Sequence, residues 1–344
     1  MKSVSSKRFM IFSIFYYLIF TVLMILGTVF DLSIGKAVYN PENFFAGFME
    51  DFGQFVYWAM WGPALTVIFL CRRDLNENLN VIGKVFPFIC PIKNTDGKLY
   101  RICNFCVKLI LTAGYFVLVV VGWKKLIENV TKNILLNIGK ENLSAAAYFA
   151  ISTAVAVAGI VLFRRINPKT LKKLEAIALA GVLFSILCKL TEECKPLTQR
   201  VRFREMVAYS NGFLNENGLS EGKLSPLNAS MVNGTDFSAF SPWYKIGNDM
   251  GIYSRADSFP SGHTLYSVTP FISYFFFTAF EKVKKFLPLA LCISFIYVIL
   301  MCYTRMVMGA HYLTDVASAA LLGYTFFLLA KAAYEKTTQK GIIG

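Results

Sequence analysis

Residues 286–315 read FLPLALCISFIYVILMCY (286–303) followed by TRMVMGAHYLTD (304–315). The first segment carries no charge, and as a helix it is about 27 Å long, enough to cross the hydrocarbon layer of a bilayer. The second gathers an arginine, a glycine, a histidine and an aspartate where the chain leaves one apolar run and enters the next. Ionisable groups are costly there, so their grouping marks a functional site by default.

The remainder of the 344 residues has the same character: 56% are hydrophobic, 15% aromatic and only 16% charged, with a mean hydropathy of +0.51. Soluble domains carry about 25% charged residues, so this deficit places most of the chain in lipid. It excludes disorder, a coiled coil and a small disulfide scaffold. Eight uncharged or nearly uncharged runs are long enough to be candidate spans: Phe9–Phe30, Phe52–Cys71, Ile102–Trp123, Leu143–Phe163, Leu174–Leu190, Thr264–Phe280, Phe286–Tyr303 and Leu313–Ala330. The fold class is therefore all-α, a polytopic membrane helical bundle. The first run is too long for a signal-peptide core and lacks a small-residue cleavage pattern, so it reads as a retained span. Cys103-x-x-Cys106 enters an apolar run with no second pair nearby, and reads as small buried hydrophobes rather than a metal or redox site.

The 35 Lys+Arg against 21 Asp+Glu give a net charge of +14, but the surplus sits in short clusters between spans. With Lys2, Lys7 and Arg8 inside, Arg72, Arg73, Arg164, Arg165, Lys169, Lys282, Lys284 and Lys285 also fall inside, as the positive-inside rule requires. That pattern argues for a bilayer as the partner and against nucleic acid. The loop carrying Lys124, Lys125, Lys132 and Lys140 dissents. The segment 191–262 becomes a long outer loop that is basic from Lys195 to Arg204, and sequons at Asn129, Asn142, Asn228 and Asn233 all fall in outer loops.

Three stretches share that outer side: Lys195-Pro-Leu-Thr-Gln-Arg200-Val-Arg202-Phe203, Ser258-Phe-Pro260-Ser261-Gly262-His263, and Thr304-Arg305 through Gly309, His311 and Asp315. Lys195, Arg202 and Arg305 supply the fixed charge and forked donors that hold a phosphate, while Ser261 and the Gly262 amide open a helix, where anions bind. His311 and Asp315 are four apart, so on a continuous helix the carboxylate can accept one ring N–H and free the other nitrogen to attack phosphorus. His263, on another helix end, suits a general acid for the departing alkoxide. His263 and His311 are the only histidines in the chain. Arg200 and Arg204 also fit headgroup anchoring.

These residues resemble the type 2 phosphatidic acid phosphatase (PAP2) superfamily of membrane lipid phosphatases, whose pattern is Lys-x6-Arg-Pro, then Pro-Ser-Gly-His, then Ser-Arg-x5-His-x3-Asp. Here Phe203 stands in place of the proline and Thr304 in place of the serine; the other positions are in register. The resemblance covers about residues 174–330. It implies a six-helix core with two extra N-terminal spans, and His311 as the nucleophile forming a phosphohistidine, with Asp315 orienting it and His263 protonating the leaving group. Lys195, Arg202, Ser261, Gly262 and Arg305 would bind phosphoryl oxygens, and the loss of the proline after Arg202 puts Arg200 forward as a substitute or second phosphate contact. No metal or other cofactor is implied.

The expected organisation is an N-terminal transmembrane extension (1–100), a phosphatase core (101–335) that includes the 191–262 outer loop, and a cytoplasmic tail (336–344). The expected activity is hydrolysis of a phosphate monoester or diphosphate on a membrane lipid, at the non-cytoplasmic face of the plasma membrane. A lipid phosphotransferase would use the same phosphohistidine, and a noncatalytic phospholipid-binding or transport protein the same cradle. A soluble haloperoxidase relative is excluded by the apolar runs.

Overall fold

The computed structural model describes residues 2–72, 98–137, 143–212, 227–247 and 256–339. Among them the helices are α1 (Lys2–Val38), α2 (Phe44–Phe52), α3 (Phe55–Arg72), α4 (Lys98–Asn137), α5 (Ala145–Phe163), α6 (Pro168–Glu193), α7 (Phe203–Ser210), α8 (Gly262–Tyr266), α9 (Ser273–Ala279), α10 (Leu287–Val307) and α11 (Leu313–Gln339). Short 3-10 turns occupy Lys195–Thr198, Ala229–Val232, Thr269–Ile272 and Glu281–Phe286. The only extended pairing in these residues is an isolated parallel bridge between Arg200 and Asp257. The fold is all-α. The Asn142 sequon, Cys90, and segments 213–226 and 248–255 of the long loop lie outside the described residues, as do the side chains of Cys103 and Cys106.

Among the described residues, seven helical stretches are long and apolar enough to cross a bilayer: Lys7–Val38, Phe44–Cys71, Leu109–Lys132, Ala145–Phe163, Pro168–Thr198, Glu281–Val307 and Leu313–Thr338. The expected run 264–280 is not one helix but α8, a 3-10 turn and α9 in succession, all packed on α10. Pro270 stands at the break and has no N–H to continue the ladder. The Ser267 and Thr269 hydroxyls donate to the carbonyls of Thr264 and Tyr266 at 2.7 and 2.6 Å, offering the backbone local partners instead. Hydropathy registers the apolar content of such a run but not its interruption.

The chain divides into two compact units. One comprises residues 55–183 and 331–344, and its helices approach through small residues. A Cβ on Gly62 would lie 2.5 Å from the Trp123 ring and one on Gly159 3.3 Å from it, so both positions make room for the indole. Its Nε1–H donates to Thr66 Oγ1 at 3.1 Å.

The other unit comprises residues 1–54 and 184–330. Here α1 turns Leu18, Ile25 and Val29 outward as a lipid-facing surface. Its other side packs Tyr16 on Tyr324 of α11, with ring centroids 4.1 Å apart and near-parallel planes. Further along, a Cβ on Gly27 would fall 2.9 Å from the Thr314 backbone nitrogen, so the glycine lets α1 meet the start of α11.

Gly309 ends the turn after α10 with φ +59, and a Cβ there would meet the Tyr39 ring at 2.6 Å. Its carbonyl accepts the Arg204 N–H at 2.8 Å. Gly309→Ala therefore combines a left-handed L-residue, which costs about 1–2 kcal/mol, with a clash against a buried ring. The expected outcome is a lower unfolding midpoint in detergent by several degrees. An unchanged midpoint would mean the turn relaxes freely.

Candidate active site

The three sequence blocks meet at one end of the second unit. After α6, the 3-10 turn and Gln199 in the left-handed region (φ 46) reverse the chain, so that the Arg200 carbonyl accepts the Ser258 N–H at 3.0 Å. That links the first block to the second. The Ser261 N–H donates to the Asp315 carbonyl at 3.0 Å, which links the second to the third. Ser261 caps α8, its Oγ accepting from Thr264 N at 3.4 Å and from Thr264 Oγ1 at 3.1 Å. Gly262 sits beside Glu192 and Lys195: a Cβ there would lie 3.4 Å from Glu192 Oε1 and 3.7 Å from Lys195 Nζ, ordinary contact distances.

His311 is buried at the centre. Its Nδ1 lies 2.7 Å from the Ser258 carbonyl oxygen and 3.7 Å from Asp315 Oδ2, so the ring N–H is held first by a backbone acceptor. His311 precedes α11 rather than sharing its face. Asp315 lies in the first turn, where Oδ2 accepts the Tyr312 N–H at 2.8 Å and the Ser258 hydroxyl. The carboxylate thus fixes the loop around the ring as much as the ring itself. Burial pulls the His311 pKa down to about 3, with the Arg202, Lys195 and Arg305 charges adding to the effect and the Asp315 contact opposing it. At neutral pH the imidazole is uncharged, and its Nε2 carries no hydrogen bond among the described residues.

Two carboxylates hold the surrounding cations. Asp257 Oδ1 takes both Arg202 Nε at 3.1 Å and Nη2 at 2.9 Å, while its Oδ2 lies 4.0 Å from Lys195 Nζ. Glu50 Oε1 takes Arg204 Nη1 at 2.8 Å and lies 3.2 Å from Arg305 Nη1. Glu192 also acts on Lys195 and Glu205 on Arg204, so the four cations are held by nearby carboxylates while concentrating positive charge suited to a phosphate dianion. His263 Nε2 is 3.1 Å from the Glu50 backbone oxygen. Burial first, then the Arg305 charge, pushes its pKa well below the usual histidine range, against the pull of Glu50.

Arg200 points elsewhere. It is 1% exposed and donates to Asp315 Oδ1, to Thr314 Oγ1 at 2.8 Å, to Asp31 Oδ2 at 2.8 Å and to the Ser241 carbonyl at 2.9 Å. Neither Arg200 nor Arg204 projects outward as a headgroup anchor would.

Sequence reasoning passed over Asp31, Glu50, Asp257, Ser258 and Thr314. Asp31 had a signal, since it is a carboxylate immediately after the first apolar run. Glu50 and Asp257 lie in polar connections where an acid is unremarked until the fold brings it to an arginine.

Residues 169–339 match the family model of the PAP2 superfamily. Over 87 residues the chain is 31% identical to phosphatidylglycerophosphatase B of Bacillus subtilis (strain 168). That stretch is 25% of this chain and 43% of the relative, so less than half of the relative's length is spanned. No solved structure matches. The family match contains all three blocks, in the order and spacing that the folded site brings together, and the chain belongs to the PAP2 superfamily.

Proposed function

We propose that this integral membrane protein is a lipid phosphate phosphatase acting on a phosphate monoester or diphosphate of a membrane lipid, without a metal, at the non-cytoplasmic face of the plasma membrane. The observation that carries the reading is a neutral, buried His311, anchored through Nδ1 at 2.7 Å and lying within the field of Lys195, Arg202 and Arg305. Those three cations, with Ser261 and the Gly262 amide, hold the phosphoryl oxygens. The Nε2 lone pair of His311 attacks phosphorus, the bond from phosphorus to the lipid oxygen breaks, and His263 gives that oxygen its proton. Water, deprotonated by His263, then breaks the N–P bond and releases phosphate.

The general acid charges as substrate arrives. Arg305 is the foremost charge depressing the His263 pKa, and a phosphate dianion beside Arg305 offsets it, so binding favours proton uptake by the imidazole. The charge therefore appears where it is used. The relative's printed name, phosphatidylglycerophosphatase, supports a lipid phosphomonoester as substrate.

The test is phosphate release by the purified full chain in detergent, from lipid phosphates and diphosphates, with excess EDTA. Release that survives chelation is expected. A protein that binds these lipids but releases nothing overturns the hydrolase, and release abolished by EDTA and restored by a divalent metal overturns the metal-free mechanism.

A further inference from the structure

A residue on α1, far outside the family match at residues 169–339, bonds to Arg200 and to the start of α11. Asp31 is 4% exposed. Its Oδ1 accepts the Thr314 N–H at 2.9 Å, and its Oδ2 takes Arg200 Nη2 at 2.8 Å and the Thr314 hydroxyl. Arg200 in turn reaches Asp315 Oδ1 with its other terminal nitrogen. One guanidinium thus lies between two carboxylates, and the Tyr312 ring lies 4.3 Å from its Cζ. Only a bare Gly27 lets α1 come close enough, since a Cβ there would lie 2.8 Å from Thr314 Cγ2 and 2.9 Å from its backbone nitrogen.

We propose that Asp31 is a positioning residue: acting through Arg200 and Thr314, it fixes Asp315 and the loop that carries His311, so that the first helix belongs to the reaction machinery. The proposal rests on the phosphohistidine reading above. A carboxylate in this place does two things a neutral residue cannot. It splits the Arg200 charge between two partners, which keeps the guanidinium from collapsing wholly onto Asp315. It also takes a free N–H in the first turn of α11, which holds the helix start in register with Ser258 and Ser261. Asp31 bonds to Arg200 and Thr314 rather than to Lys195, Arg202 or Arg305, so its effect should fall on the rate rather than on binding.

The experiment compares wild type, Asp31→Asn, Arg200→Met and the double variant in steady-state hydrolysis of one lipid phosphate, with unfolding midpoints measured in parallel. Asp31→Asn keeps the shape and an acceptor for Thr314 while removing the charge. The expected result is a fall in kcat of about 10- to 100-fold with KM within about threefold of wild type. In the Arg200→Met background the same change should cost less than about twofold, because the link is already cut. Three results overturn the proposal: a folded Asp31→Asn protein with kcat within about twofold of wild type, a loss confined to KM, or losses that multiply in the double variant. Inactive wild type defeats the phosphatase reading itself and is told apart by that control.

Discussion

Replacing His311 with alanine will leave a folded protein that still takes up phosphorylated lipid but releases phosphate at a rate reduced on the order of ten-thousandfold or more. In the mechanism proposed above every other group in the site binds, orients or moves a proton, and the His311 ring carries the phosphoryl group between two acceptors. Quenching wild type during turnover with labelled substrate should trap a protein-bound phosphoryl group that is labile in acid and stable in alkali, as an N–P bond is, and His311→Ala should trap none. A variant retaining activity within about tenfold of wild type would mean that water attacks phosphorus directly.

The same substitution has a signature in acid. The folded-state pKa of His311 is about 3, below the roughly 6.5 of an unfolded histidine. Between these values the unfolded chain binds a proton that the folded one refuses, so stability falls as pH falls. The slope contributed by this ring approaches about 1.4 kcal/mol per pH unit. His311→Ala removes it, and the variant should gain on wild type in unfolding midpoint as pH is lowered from 6.5 towards 4.

The division between what was legible in the sequence and what was not follows the range of the interactions. Apolar runs and the charges that end them are local, so the all-α membrane fold and the three blocks could be read directly. The 264–280 run misled because an average over its residues cannot register Pro270 or the hydroxyls that satisfy the backbone around it. The His311–Asp315 spacing was read as one helical face, whereas α11 begins only at Leu313 and the ring finds the Ser258 carbonyl first. Glu50 was illegible as a site residue for a different reason, and Asp31 showed only as a charge closing the first apolar run. Their partners stand some 170 and 150 positions away, Arg200 and Arg204 respectively, and no periodicity carries information over such separations. Arg200 shows the cost: judged alone it is one more cation beside Arg202, and only the folded chain shows it held between two carboxylates, Asp31 and Asp315.

His263→Asn should produce a loss whose size depends on the leaving group. A lipid alkoxide is strongly basic and cannot depart without a proton, so kcat/KM for the lipid phosphate should fall by about 10²- to 10⁴-fold. p-Nitrophenolate is a weak base and leaves unaided, so kcat/KM for p-nitrophenyl phosphate should stay within about tenfold of wild type. The second half of the reaction still lacks its base. Each molecule of His263→Asn should therefore release about one p-nitrophenol in a rapid burst, then turn over slowly while phosphorylated protein accumulates. Asparagine retains an N–H for the Glu50 carbonyl, which lies 3.1 Å from the ring in wild type, so the difference between substrates reports proton transfer rather than a displaced α2. Equal losses on both substrates, with no burst, would assign His263 to phosphate binding and leave the departing oxygen to find its proton elsewhere.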